Sequence, residues 1–236
     1  MKESFPHQAY TKLSAAYAKA IDTKPHNAFY DRPAVKSLVG SLGGRHILDA
    51  GCGTGAYTQW LLQEGARVVA LDANEAMLAH ARDRIGDKAE FVQANLEEPM
   101  PFLQSSSFDG ILSALTITYC KDLLPVFTEF SRVLKPQGWL VFSTEHPFFA
   151  YRNNNLQSYY ETQELHIPWK GFSVEVVMDS YYHSLSAITE ALSSSGFLIE
   201  RIIEPYPAKE FEAADPKGYE KLMKFPLFLF VRAIRR

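Results

Sequence analysis

The chain has 236 residues, 47% hydrophobic and 13% aromatic, enough to bury a sizeable core without disulfide or metal staples. Its 24 lysines and arginines against 27 aspartates and glutamates leave a formal charge of -3, which gives no electrostatic drive toward nucleic acid or an anionic membrane. The two cysteines, Cys52 and Cys120, belong to no CxxC pair, which argues against a disulfide framework and a cysteine zinc cluster.

The opening MKESFPHQAY lacks the apolar segment of a secretory signal. The longest apolar run, Phe225–Ile234, is cut by Pro226 and Arg232. The expectation is a soluble, reduced, cytoplasmic chain. Residues 7–22 and 26–41 carry helix-compatible patterns, broken at Pro25 and Pro33. From Gly44 onward short apolar runs alternate with helical stretches. HILDAG precedes a helix near 55–64, and RVVALD one near 74–84; AEFVQA follows. FDGILSAL precedes a helix near 121–134, which Pro136-Gln137-Gly138 ends before GWLVFSTE. This alternation predicts a parallel sheet with helices on both faces, since strands buried on both sides read as unbroken apolar runs.

Residues 147–182 interrupt the pattern with a dense set of aromatics, among them Phe148, Tyr159, Trp169 and Phe172; this is an insertion rather than a turn. A helix over 184–195 ends at Gly196. FLIERIIEPY and FPLFLFVRAI read as two more strands, and the 207–224 link is too short for a full helical crossover. An antiparallel end to the sheet is therefore expected.

The sharpest motif is Asp49-Ala50-Gly51-Cys52-Gly53-Thr54-Gly55-Ala56, which follows a strand and opens a helix. Its glycines allow a tight turn and close approach of a ligand to the backbone. Asp72 ends the next strand, where a carboxylate can accept hydrogen bonds from ribose hydroxyls. The loop also satisfies GxGxx(G/A), with Ala56 in the last slot, so alone it does not separate NAD from another nucleoside. Asp49 beside the turn disfavours a pyrophosphate and favours a ligand bearing an ammonium and a sulfonium.

With its downstream blocks, the sequence resembles the class I S-adenosylmethionine-dependent methyltransferases of the type 11 small-molecule group. ILDAGCGTGAYT resembles the family's first motif, and VVALDAN its acidic ribose-binding strand end. FVQANLEEPMPF, SSSFDGILSALTITY and FSRVLKPQGWLVFS resemble the following blocks, in order, and Tyr10–Tyr17 the helix over the cofactor. The resemblance is strong over residues 10–146. It implies an α/β fold with a doubly wound, seven-stranded mixed sheet, Rossmann-like, in one domain over 1–236. Within it, 1–43 would be a helical lid, 44–146 the cofactor-binding core, 147–182 a cap, and 183–236 the helix and two strands that complete the sheet.

The implied cofactor is S-adenosyl-L-methionine, giving S-adenosyl-L-homocysteine. Asp49 and Gly51 would hold its methionine end, Gly51 through its carbonyl, with Ala50 a further cofactor-binding residue; Gly53 and Gly55 would allow close approach. Asp72 would bind the ribose, and Ala73 and Met77 the adenine or its sugar. Asn95 would accept from the adenine amino group, and Leu96 would offer a backbone N–H to the ring. Ala114 and Leu115 would pass near the methionine group. Tyr17 is a further candidate, and Arg32 suits the cofactor carboxylate through a bidentate pair.

Methyl transfer from a sulfonium is an in-line displacement that needs orientation more than a nucleophile from the protein, an effect with a ceiling of about 7–11 kcal/mol. His146, at the carboxyl end of WLVFSTE, is the candidate base; the alternative is a ring that caps the strand end before Pro147. Glu145 and His183 read as structural or solvated, and Cys52 as a small packed residue. Tyr119, His146, Phe149, Tyr151 and Tyr182 are the expected acceptor pocket. The expected partner is a small, partly apolar acceptor methylated on oxygen or nitrogen in preference to carbon. Metal, nucleic acid and membrane are not expected, and oligomeric state is open. The alternatives are an NAD-dependent oxidoreductase, a tRNA or other nucleic-acid methyltransferase, and a non-catalytic cofactor-binding protein.

Overall fold

Each apolar run of the alternating region forms a strand, and the helical stretches between them return the chain. The computed structural model describes residues 6–170, 172 and 174–236. Residues 1–5 of the expected lid and positions 171 and 173 of the expected cap lie outside the described residues. The chain opens with α1 (His7–Ala20), a π turn at Asn27–Asp31 and α2 (Arg32–Leu38). There follow β1 (His46–Ala50), α3 (Ala56–Gln63), β2 (Arg67–Asp72), α4 (Glu75–Ile85) and β3 (Glu90–Gln93). Next come β4 (Phe108–Ala114), α5 (Leu123–Val133), β5 (Leu134–Glu145), α6 (Pro147–Asn153), β6 (Gln163–Trp169) and β7 (Val176–Tyr182). The chain closes with α7 (Leu185–Ser194), β8 (Phe197–Ile203), α8 (Lys209–Ala214), α9 (Pro216–Leu222) and β9 (Phe228–Arg235).

The main sheet has seven strands in the order β3-β2-β1-β4-β5-β9-β8. β1 to β5 are parallel; β9 runs antiparallel to β5, and β8 antiparallel to β9. The antiparallel end follows from the short link, which holds only α8 and α9. β1 shows why both faces are covered: Ile47 faces a core built with Leu61, Val68 and Phe230, while Leu48 faces one built with Phe127, Phe130 and Phe142. Side chains of Asn74, Asp122 and Ser184 accept backbone N–H groups and so start α4, α5 and α7.

Three details depart from the sequence expectation. Pro33 does not break a helix; it sits in the first turn of α2, where its missing N–H is harmless. Pro136-Gln137-Gly138 lies inside β5, where Gln137 has φ 63° and the register with β4 shifts between Phe108 and Gly110. The cap insertion forms α6 and a separate β6–β7 hairpin. That hairpin packs Phe172, Val176 and Met178 against Ala9 and Leu13 of α1, so lid and hairpin share one apolar seam.

Candidate functional site

The site begins where β1 ends. Gly51, Gly53 and Gly55 all adopt the left-handed region, with φ of 83°, 55° and 78°. A side chain on Gly51 would collide with Thr116, whose Cγ2 lies 2.2 Å from the position of a Cβ. The N–H groups of Gly51 and Cys52 donate to the Leu71 carbonyl at 2.7 and 2.9 Å, tying the turn to β2. At the end of β2, Asp72 accepts the Gly53 N–H on Oδ2 and the Asn74 N–H on Oδ1, both at 2.8 Å. Burial raises its pKa, and those two donors act against the rise.

Over this turn lies a cavity of about 570 Å³, within the range of small-molecule sites. Of the expected cofactor residues, Tyr17, Arg32, Gly51, Gly53, Asp72 and Ala73 line it. So do Met77, Asn95, Leu96, Ala114 and Leu115. Asp49, Ala50 and Gly55 do not. Asp49 lies beneath the turn, where Thr58 Oγ1 donates to it at 2.5 Å; burial pushes its carboxyl up to about 7. Ala50 is fully buried, its carbonyl accepting from Ser113 Oγ. A Cβ on Gly55 would meet Ile85 Cδ1 at 2.8 Å, so this glycine serves the packing of α3 on α4.

Two of the lining residues carry hydrogen bonds within the chain. Arg32 directs its Nη2–H to the Ile21 carbonyl at 2.7 Å and its Nη1–H to that of Asp22 at 3.3 Å, so it clasps the end of α1. Asn95 Oδ1 accepts the Glu97 N–H at 3.1 Å. Cys52 packs against Ala70 and Leu78, and burial raises its thiol pKa, which removes it as a nucleophile. Sequence reasoning also missed Asp31. This cavity residue accepts Tyr57 Oη at 2.5 Å and Ser143 Oγ at 2.6 Å, and burial lifts its carboxyl to about 6.

A family model described as "Methyltransferase domain" matches residues 48–142. An S-adenosylmethionine dependent methyltransferase from Mesorhizobium loti superposes with a TM-score of 0.72 at 27% identity, covering 91% of this chain and 100% of that one. Residues 48–142 are thus similar to a methyltransferase domain, set in a fold shared with an S-adenosylmethionine dependent methyltransferase. A malonyl-[acyl-carrier protein] O-methyltransferase from Yersinia pestis is 36% identical over 138 residues, covering 56% of this chain and 49% of that protein. The biotin biosynthesis bifunctional protein BioHC of Teredinibacter turnerae is 34% identical over 157 residues, covering 59% of this chain and 27% of that protein. The chain thus spans about half or less of the length of these curated relatives.

The expected acceptor side of the cavity departs from expectation more than the expected cofactor side. Tyr119 lines the cavity, its hydroxyl 2.8 Å from that of Tyr10. His146 does not. Adjacent strand residues point to opposite sides, and His146 turns away from the cavity while Glu145 turns into it. The His146 ring accepts the Phe148 N–H on Nδ1 and therefore donates Nε2–H to Glu204, at 2.6 Å. Both nitrogens are engaged, so His146 caps α6 and is not the base.

Phe149 packs against Phe225, and Tyr151 and Tyr182 join a cluster around Tyr159 and Leu165. Tyr182, paired with Gln163, stands at the base of the hairpin, where β7 rests on α6, the helix that carries Tyr151. The other end, where Trp169 pairs with Val176, reaches over the cavity, so Trp169 and Phe172 form the wall instead. The aromatic density at 147–182 was the signal for this wall; which aromatics face the site depends on the hairpin register.

Proposed function

We propose that this chain binds S-adenosyl-L-methionine at the glycine turn and transfers its methyl group to a small, partly apolar acceptor held between α1 and the β6–β7 hairpin. The observation that carries this reading is the convergence of the glycine turn, Asp72, the buried acid Asp31 and an aromatic wall on one cavity. The residues fit the cofactor. Asp72 is fixed by two backbone donors with room to accept from hydroxyls. Thr54 Oγ1, in the turn itself, is buried with no hydrogen-bond partner among the described residues and would find one in a polar ligand. Acids without an excess of free cations suit a cationic ligand and oppose a pyrophosphate.

In this reading Asp72 holds the ribose, the Gly51–Gly53 backbone and Asp31 face the methionine end, and Met77 and Leu96 flank the base. The cofactor supplies an activated methyl group when bound. The chain itself excludes water with the Tyr10, Tyr17, Trp169 and Phe172 rings and holds the acceptor in line. Relatives named for O-methylation of a malonyl group on acyl-carrier protein keep oxygen beside nitrogen among the acceptor atoms to be tried.

Calorimetric titration with S-adenosyl-L-methionine, S-adenosyl-L-homocysteine and NADH tests the reading. The two sulfur nucleosides are expected to bind, NADH is not, and Asp72→Ala is expected to weaken both. No heat with either nucleoside, or tighter binding of NADH, would overturn it.

A further inference from the structure

The acidic and basic side chains named here along the cavity are engaged by neighbours, with one exception. Lys24 lies over the Phe172 ring at 3.4 Å and beside Trp169, Lys170 pairs with Glu175 at 3.4 Å, and Arg32 is bonded to the end of α1. Asp31 and Asp72 each accept two hydrogen bonds. Glu145, at the carboxyl end of β5, has no hydrogen-bond or ion-pair partner among the described residues. It sits beside Phe228 across the β5–β9 ladder and close enough to Tyr119 to act on its phenol. The structure therefore leaves one carboxylate in the cavity with no hydrogen-bond or ion-pair partner among the described residues, next to rings that favour a cation.

Resting on the function proposed above, we propose that Glu145 receives the methyl acceptor, and that this acceptor is an amine. The amine enters as its ammonium form, paired with the Glu145 carboxylate and flanked by Tyr119 and Phe228. An N–H bond breaks and an O–H bond forms as Glu145 takes the proton, which frees the nitrogen lone pair. That pair forms the N–C bond to the donated methyl group as the C–S bond breaks, its electrons remaining on sulfur. Burial lifts the Glu145 carboxyl to about 7, so it can accept the proton near neutral pH and later release it to solvent. A carboxylate acceptor would meet like charge at the same place.

The test uses the whole chain saturated with S-adenosyl-L-homocysteine and titrated by calorimetry with benzylamine and with benzoate. Glu145→Gln and Glu145→Ala are examined in parallel. Wild type is expected to bind benzylamine at least tenfold tighter than benzoate. Both variants are expected to lose that preference while homocysteine-nucleoside affinity stays within threefold. With radiolabelled S-adenosyl-L-methionine, benzylamine is expected to take up more label than benzyl alcohol or benzoate, and less in either variant. Equal or absent binding of the two probes, a preference that survives both variants, or greater label on benzyl alcohol or benzoate would overturn the inference. So would variants that lose the nucleoside as well, because Glu145 would then serve the cofactor. A wild-type chain that takes up no nucleoside overturns the function reading and this inference together; nucleoside uptake without amine preference overturns this inference alone.

Discussion

Asp72 receives the Gly53 N–H on one carboxylate oxygen and the Asn74 N–H on the other, so its orientation is set before a ligand arrives. A charged acceptor held this way contributes roughly 1.5–3 kcal/mol per hydrogen bond. Asp72→Asn keeps the shape but replaces one acceptor with a donor; S-adenosyl-L-methionine affinity is expected to fall by roughly tenfold to a hundredfold on titration. His146 calls for the opposite outcome. Its ring caps α6 outside the cavity, so His146→Ala is expected to cost about 1 kcal/mol in denaturant unfolding while cofactor affinity stays unchanged. A large loss of affinity with intact stability would return His146 to the site. Gly55 belongs to packing: alanine there must take φ 78° and press on Ile85 and Ala81, which is expected to destabilise the fold by roughly 2–4 kcal/mol.

Between elements, Asn74 joins the lid to the core. Its Oδ1 accepts the Met77 N–H and starts α4, while its Nδ2–H groups donate to the His7 carbonyl and Thr11 Oγ1 of α1, each at 2.9 Å. Asn74→Asp keeps the acceptor and removes the donors. Amide hydrogen exchange is expected to quicken in α1 while α4 stays protected; equal loss in both helices would mean that the lid does not depend on this tether. The alternation of strands and helices could be read from the chain because strands covered on both faces must be apolar throughout. The glycine turn was legible because left-handed backbone at Gly51 and Gly53 demands glycine there. The acceptor side was not, because Glu145 and His146 are neighbours and only the strand's pleat decides which of them enters the cavity. Trp169 and Phe172 escaped for a related reason: a hairpin's register is set by pairing across it, which residue spacing does not reveal.

At the scale of the whole molecule, acids in the cavity and beneath its glycine turn are ones that folding makes harder to ionise. Asp31 is lifted to about 6 and Asp49 and Glu145 to about 7, in each case chiefly by burial. The folded chain therefore holds these protons more tightly than the unfolded chain. Their contribution to stability is complete below about pH 4, the ordinary carboxyl range, and is lost as pH rises through 6 to 7. Asp109 and Glu129 are lowered, so their contributions are lost only at more acid pH. His26 and His183, lowered by burial, act the other way within the same window, so the bare pH profile of the fold is a sum of opposing parts. A comparison isolates one part: Asp49→Asn cannot ionise and is expected to gain in Tm relative to wild type between pH 5.5 and 7.5. A cation seated beside Asp31 favours its ionised form, so uptake of S-adenosyl-L-methionine near pH 6 is expected to expel protons. Calorimetry in two buffers of different ionisation enthalpy is expected to show that release and an affinity that rises toward pH 7.5. Proton uptake, or an affinity flat across the window, would mean that the ligand's charge lies elsewhere.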